Sequence, residues 1–217
     1  LISAGPTREP IDPVRFISNY SSGKMGYALA ESARNLGADV ELISGPVSIK
    51  MPENIKITSV ETSAEMLDAV LGKIPYCDVF ISAAAISDYR PSHKLTEKHK
   101  SSDGELVIRL ERGEDILKLA KETKAGLYAV GFSAETNNIS DNAKIKLEKK
   151  NIDMIISNEA NHQKGLGFES DMNEVCIIEK DSMLKIPKNT KKIIADIILS
   201  RIAKNIKGNL IKIKNAR

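Results

Sequence analysis

Residues 77–85 read Cys-Asp-Val-Phe-Ile-Ser-Ala-Ala-Ala, a nearly continuous apolar run. A strand solvated on one face alternates apolar and polar side chains, whereas a strand covered on both faces does not. The run therefore predicts a strand inside a sheet with helices on both sides. On its N-terminal side, Ser63 can cap a helix whose Met66, Leu67, Val70 and Leu71 face inward. Strands are expected at 55–60 and 39–43. Between 23 and 36, Met25, Ala28, Leu29, Ala33 and Leu36 share one helical face, and Gly37 ends that helix. Leu1–Ala4 is strand-like and stops at Gly5-Pro6. On the C-terminal side, the pattern predicts strands at 105–110, 127–132, 152–157 and 174–179, and helices at 115–122 and 141–150. Thr190 is expected to cap a last long helix with Ile193, Ile194, Ile197, Ile198 and Ile202 inward. Strands alternating with helices define an α/β class with a doubly wound, mostly parallel sheet. Two stretches break the rhythm, 88–104 and 158–173. A loop as long as 88–104, following the strand that ends near Ala85, is the kind that carries function.

Composition narrows the class. The chain has 217 residues, enough for one large domain or two small ones. Aromatics are only 4%, so Ile, Leu, Val and Ala must fill the core. Cys77 and Cys176 are the only cysteines, far apart and without partners at metal spacing. They read as reduced core thiols of a cytoplasmic protein. Residues 1–5 have no signal-peptide character, and no apolar run approaches the ~20 residues of a membrane span. A chain beginning at Leu1 inside strand-like sequence is expected to be cut from something longer. The net charge is +3, but Lys191–Arg217 hold eight Lys/Arg against one acid, Asp196. That segment carries +7, so residues 1–190 carry −4. A basic tail, about 208–217, over an acidic body disfavours nucleic acid as a partner.

In such sheets ligands bind beyond the carboxyl ends of the strands. The first of these loops carries Ser18-Asn-Tyr-Ser-Ser-Gly-Lys-Met-Gly26, with Ser21, Ser22 and Gly23 opening a helix. Small residues there present backbone N–H groups to an anion. It is not a Walker A loop, since Met25 follows Gly23-Lys24 and Ser18 stands where that motif needs glycine. Nor is it a three-glycine dinucleotide turn. The Tyr-x-x-x-Lys pair of short-chain dehydrogenases fails as well, because Tyr89 is followed four residues on by His93. His93, His99 and His162 have no metal-ligand spacing, so no metal ligand set is expected. Lys146 and Lys150 are four apart and share a helix face, where with Lys98 they can neutralise a triphosphate. Lys144 and Lys149 point elsewhere. Asp88 reads as the end of a buried strand, where a carboxylate needs a partner or a ligand.

Several long stretches agree with a known family in order and spacing. They are GPTREPIDPVRFISNYSSGKMGYALA, AAAISDYRP followed by EKHK, VGFSAETNN, AKIKLEKKNIDMIISN and GFESDMNEV. Together they resemble the phosphopantothenoylcysteine synthetase family over nearly the whole chain. In bacteria and archaea this module is commonly the C-terminal half of a bifunctional protein of coenzyme A biosynthesis. The resemblance implies a Rossmann-like amide ligase spanning 1–217. It implies that CTP activates the carboxylate of 4′-phosphopantothenate, pyrophosphate leaves, and cysteine's amine attacks the acyl-cytidylate. Mg²⁺ is implied with CTP, and FMN only in a fused flavin-dependent decarboxylase half. A homodimer is implied too.

The resemblance also assigns residues. Lys98 matches the lysine that neutralises the α-phosphate and the attacking carboxylate. Asn19 matches the asparagine that holds the acyl-nucleotide for the amine step, donating to the oxygen on which charge develops. Arg15 matches an arginine that reaches substrate across a dimer interface. Ala84 and Ala85 are expected against the pantothenate arm. Asp88, Phe132, Lys146, Lys150 and Gly113–Ile116 match nucleotide-binding positions. The last of these reads Gly113-Glu114-Asp115-Ile116 where the family usually has Asn-Pro-Asp-Ile, and the flap reads Lys98-His-Lys-Ser101 where it has Lys-Ile-Lys-Lys. The rival reading is a nucleotide-binding module without catalysis; the presence of both Asn19 and Lys98 weighs against it.

Overall fold

The computed structural model describes the backbone of residues 1–100, 102, 104–135, 139–159 and 170–215. It describes the side chains of the same residues except 134–135, 139–143, 159 and 208–215. The predicted basic tail, 208–217, thus lies outside the described side chains, as do residues 160–169 of the second irregular stretch.

In chain order the first half runs β1 (Ile2–Ala4), β2 (Arg8–Pro10), β3 (Phe16–Ser18), α1 (Lys24–Asn35), β4 (Glu41–Ser44), β5 (Lys56–Ser59), α2 (Ser63–Lys73) and β6 (Val79–Ser82). The second half runs β7 (Tyr89–Pro91), β8 (Leu110–Arg112), α3 (Ile116–Thr123), β9 (Tyr128–Glu135), α4 (Ile139–Lys150), β10 (Met154–Glu159), β11 (Met172–Glu179), β12 (Ser182–Thr190) and α5 (Lys191–Asn215). Among the described residues the main sheet has eight strands in the order β12-β11-β10-β9-β6-β1-β4-β5. All neighbours from β10 to β5 are parallel, while β11 and β12 add an antiparallel edge. This is the doubly wound, mostly parallel, Rossmann-like α/β fold expected.

Each central strand buries both faces, as the 77–85 run predicts. Leu42, Val130, Met154 and Ile156 pack against Tyr27 and Leu29 of α1 and Ile194, Ile198 and Ile202 of α5. Their neighbours Ile43, Phe80, Ala129 and Ile155 point the other way, onto Met66, Val70, Ile116, Leu117, Ala120 and Leu147 of α2, α3 and α4. Full burial of each such side chain stabilises the fold by about 1.5–3 kcal/mol relative to exposure.

Several local expectations need correction. Thr62, not Ser63, caps α2: its hydroxyl accepts from the Glu65 N–H and the Glu65 carboxylate accepts from the Thr62 N–H, a full capping box. Thr190 does cap α5, accepting from the Ile193 N–H at 3.3 Å. Ile193 itself is 43% exposed, because Ile194, Ile198 and Ile202 hold the inner stripe. The strand expected at 105–110 is reduced to Leu110–Arg112, paired with Tyr89–Pro91. Val107 is 81% exposed, so the alternation there has no core to face. Asp88 lies six residues past the end of β6 and is exposed rather than buried. The two cysteines are half-buried rather than deep core thiols. Edge strand β12 is unpredicted because Pro187 interrupts its pattern, and an edge tolerates a residue without an N–H.

The antiparallel edge is tied down by a polar cluster on α5. Arg201 meets Glu179 in an ion pair at 2.6 Å, and Glu179 also accepts from Ser182 and Asn205, both at 2.6 Å. Burial raises the Glu179 pKa, but these donors outweigh it and bring the group to about 2. A depressed carboxylate stabilises the fold fully above its unfolded value near 4.5 and loses that contribution as pH falls toward 2. The melting temperature of the wild type is therefore expected to exceed that of Glu179→Gln at pH 6, with the gap closing between pH 5 and 2. A gap unchanged down to pH 2.5 would contradict the assignment.

Candidate functional site

The carboxyl edge of the parallel strands brings three loops together. The first leaves β1 and is stitched to the segment after β6: the Ala85 N–H donates to Gly5 O at 2.9 Å and the Thr7 N–H to Ala85 O at 3.2 Å. Thr7 Oγ1 accepts from the Ser87 N–H at 3.0 Å, and Ser18 Oγ donates to Thr7 O at 2.7 Å. Asn19 Nδ2 donates to Ala85 O at 2.9 Å. Two predicted substrate positions, Asn19 and Ala85, are thus in direct contact, with Ala84 beside them.

Between β2 and β3 the chain turns on Asp12. Its Oδ1 accepts from the Val14 and Arg15 N–H groups, each at 2.8 Å, and its Oδ2 takes the Arg15 guanidinium. Arg15 holds the Asp12 carboxyl well below the usual carboxylate range. The same guanidinium donates to His99 O at 2.8 Å, so Arg15 grips the 88–104 segment of its own chain. Leu95 adds a second tie, its N–H donating to Ile11 O at 2.8 Å. Lys98, next to His99, is exposed.

Ser21, Ser22 and Gly23 sit at the start of α1. Gly23 has φ +78°, the left-handed region that favours glycine, and a Cβ there would stand 2.6 Å from Val47 Cγ1. Its N–H donates to Ser21 Oγ at 3.3 Å. Lys24 pairs with Asp171 at 2.6 Å, linking this loop to the start of β11. Burial pushes the neighbouring Lys191 ammonium down to about 8, with Lys24 adding to the effect and Asp171 opposing it.

A cleft of about 180 Å³ opens on the opposite, α3–α4 side of the sheet. Eight predicted residues line it: Ala84, Asp88, Gly113, Glu114, Asp115, Ile116, Phe132 and Lys150. The Gly113 N–H donates to Asp88 O at 2.8 Å, joining its two walls. Asp115 does two jobs. Its Oδ1 caps α3 by accepting from the Lys118 N–H at 3.1 Å, and its Oδ2 pairs with Lys150 at 2.9 Å. Lys146, one turn earlier on α4, donates to Ser133 Oγ at 3.2 Å, next to Phe132. Of the pair expected on one face, Lys150 lines the cleft while Lys146, exposed like Lys144 and Lys149, does not. Arg15, Asn19, Ser21, Ser22, Gly23, Ala85, Lys98 and Lys146 are not among the lining residues. Ser82, Ile86, Arg112 and Leu117 are, and sequence reasoning missed them. Arg112 directly precedes Gly113–Ile116, a signal that was present in the sequence.

Most of the cleft surface is polar: Ile116 and Leu117 are 3% and 7% exposed and offer it little, while Asp88, Arg112, Glu114, Asp115 and Lys150 bring charges. Such a site can take a small polar molecule through hydrogen bonds and ion pairs. Among the described residues no cluster of three or more metal-ligating side chains exists, and no helix is long and apolar enough to cross a membrane.

Residues 1–206 match the family model described as the DNA/pantothenate metabolism flavoprotein C-terminal domain, and the chain belongs to that family. A coenzyme A biosynthesis bifunctional protein CoaBC of Vibrio vulnificus (strain CMCP6) is 43% identical over 205 residues, 93% of this chain and 51% of that protein. The chain spans about half the length of the curated relatives it matches. A crystal structure of the C-terminal domain of CoaBC is 42% identical with a TM-score of 0.81, covering 95% of this chain and 94% of that one. A Cab2 variant in complex with phosphopantothenate-cysteine shares the fold at TM-score 0.77 and 17% identity, covering 96% of this chain and 87% of that one.

Proposed function

We propose that the chain, read as one module over 1–217, is a phosphopantothenate–cysteine ligase of coenzyme A biosynthesis that uses CTP. The observation that carries this reading is the convergence of Asp88, Gly113–Ile116, Phe132 and Lys150 on one cleft, with the Asn19–Ala85 contact at its approach. Cytidine lies between Gly113–Ile116 and Phe132, with its phosphates toward the charged residues of the cleft. The carboxylate of 4′-phosphopantothenate, lying along Ala84 and Ala85, attacks the α-phosphorus. The bond to the β-phosphate oxygen breaks and pyrophosphate leaves. Cysteine's amine then attacks the acyl carbon, the C–O bond to CMP breaks, and the ammonium proton is lost.

Two anions meet in the first step, so cations must screen them. Lys98 from the flap, Lys146 and Lys150 serve this purpose, and Ser21, Ser22 and Gly23 offer N–H groups and hydroxyls from the α1 side. Asp88 and Glu114 give oxygen donors suited to Mg²⁺, which is held by one or two carboxylates plus substrate phosphates rather than by a protein cage. Bound there, the ion would supply charge neutralisation to the phosphates. In the second step the Asn19 amide can donate to the acyl oxygen. FMN belongs to a decarboxylase half outside this chain. A homodimer agrees with the exposed apolar side chains of Val14, Phe16, Val107 and Leu110 near the two small hairpins; there Arg15 reaches the partner's substrate.

The test is to incubate the chain with 4′-phosphopantothenate, Mg²⁺ and CTP or ATP, measure pyrophosphate, then add cysteine and look for the amide. Pyrophosphate before cysteine, and amide after it, are expected with CTP. No pyrophosphate with either nucleotide would leave only a binding module. For Asn19→Asp the acyl-nucleotide is expected to form while the amide step slows by ~10²-fold or more, the usual loss for one such donor. Wild-type amide yield from that variant would remove Asn19 from the second step.

A further inference from the structure

The five charged groups lining the cleft divide by their commitments. Lys150 is neutralised by Asp115 at 2.9 Å, and the other Asp115 oxygen is spent on the α3 N-terminus. Glu111, the acid next to Arg112 in sequence, is taken by Arg90 at 2.9 Å. Arg112 lines the cleft, is exposed, and its side chain has no ion pair or hydrogen bond among the described residues. Its backbone is fixed by pairing with Tyr89, and the next residue is tied to Asp88 O. Among the described residues, the cleft therefore presents one uncommitted cation, at the end of a paired strand.

We propose that Arg112 is the polyphosphate clamp of the cleft, binding the non-transferred phosphates of the nucleoside triphosphate and positioning pyrophosphate as a leaving group. A guanidinium presents paired N–H donors that match two phosphate oxygens, which a lysine cannot reproduce. A neutral base or ribose gains little from such a group. Asp88 and Glu114 also line the cleft and repel a polyphosphate wherever no cation lies between, so a fixed positive charge there favours a triphosphate over a nucleoside.

The inference rests on the nucleotide reading above, and calorimetric titration separates the two. The wild-type chain, Arg112→Gln and Arg112→Lys are titrated with CTP, CDP and CMP in the presence of Mg²⁺. Arg112→Gln is expected to weaken CTP binding by ~10–100-fold, CDP by less, and CMP by under ~3-fold, with Arg112→Lys in between. Unchanged melting temperatures check that both variants are folded. Equal losses for CTP and CMP, or CTP binding as tight as wild type, would overturn the role of Arg112 while leaving the nucleotide site intact. A wild-type chain that binds none of the three would overturn the nucleotide reading itself.

Discussion

Gly45→Ala is expected to destabilise the chain by ~3–5 kcal/mol, while the same change at Gly72 stabilises it by ~0.5–1 kcal/mol. Gly45 follows β4 at the carboxyl edge, buried, with its N–H donating to Ala4 O at 2.9 Å. A Cβ there would stand 1.8 Å from Pro6 O and 2.8 Å from Pro6 C, both backbone atoms. No rotamer relieves that overlap. Either the loop after β1 or the loop after β4 must move, and the first of these carries Pro6 to its bridge with Ala85. Gly72 is exposed near the end of α2 with nothing within 4 Å of its Cβ position, so alanine there only removes backbone freedom from the unfolded chain. In a chain of this size each kcal/mol shifts the melting temperature by ~2–4 °C. A fall of ~6 °C or more is thus expected for Gly45→Ala, against a small rise for Gly72→Ala. A fall under ~2 °C at Gly45 would mean that the loops yield freely and that the edge is less rigid than its hydrogen bonds imply.

The contrast between these glycines marks how far sequence can be read. The parallel sheet was legible because Val79–Ser82, Tyr128–Gly131 and Met154–Ile156 bury both faces, and a short uninterrupted apolar run fits a doubly covered strand better than any surface element. What escaped was built from contacts distant in sequence or from residues that break a pattern. The β2–β3 hairpin depends on the Asp12 carboxylate collecting two N–H groups and a guanidinium, and nothing in the local periodicity announces it. Gly45 looks like any turn glycine until Pro6 is known to lie against it. Val107 and Ile108 alternate as a strand would, yet alternation without an apolar surface to face remains unpaired.

The site was legible in a different way. Residue chemistry alone reached an anion-binding α/β sheet; the family resemblance supplied the named positions. Eight of those positions line one cleft, although Ala84 and Lys150 are 66 residues apart. Helix spacing had placed Lys146 and Lys150 on one face; Lys150 lines the cleft, and Lys146 reaches Ser133 outside it. Spacing gave no means of seeing that Asp115 pairs with Lys150, or that Arg112 lines the same cleft without a side-chain partner among the described residues. Nor did it show that Arg15 is bonded to Asp12 and to the flap carbonyl of His99 in its own chain. An arginine so placed couples the loop bearing Asn19 to the segment bearing Lys98.

Lys98→Gln is expected to lower pyrophosphate release in the absence of cysteine by ~10²–10³-fold while leaving the fold intact. Lys98 is exposed, and substitutions of such residues change stability by under ~0.5 kcal/mol. A large kinetic loss with an unchanged melting temperature can then only be chemical. The expected size follows from what the ammonium has to do. A carboxylate closing on an α-phosphate brings like charges together in a partly dehydrated space, where one positive group placed between them is worth far more than in water. Its neighbours are already placed for delivery: His99 O is held by Arg15 at 2.8 Å and the Leu95 N–H by Ile11 O at 2.8 Å, so Lys98 hangs from a tethered segment rather than a free loop. CTP affinity should change less than turnover, because an interaction made chiefly in the transition state lowers kcat more than it raises KM. Glutamine keeps the length of much of the side chain but not the charge, so Lys98→Arg is expected to recover part of the rate and Lys98→Gln none. Normal pyrophosphate release from Lys98→Gln would take Lys98 out of the first step and leave Lys146, Lys150 and Arg112 to screen the reacting anions.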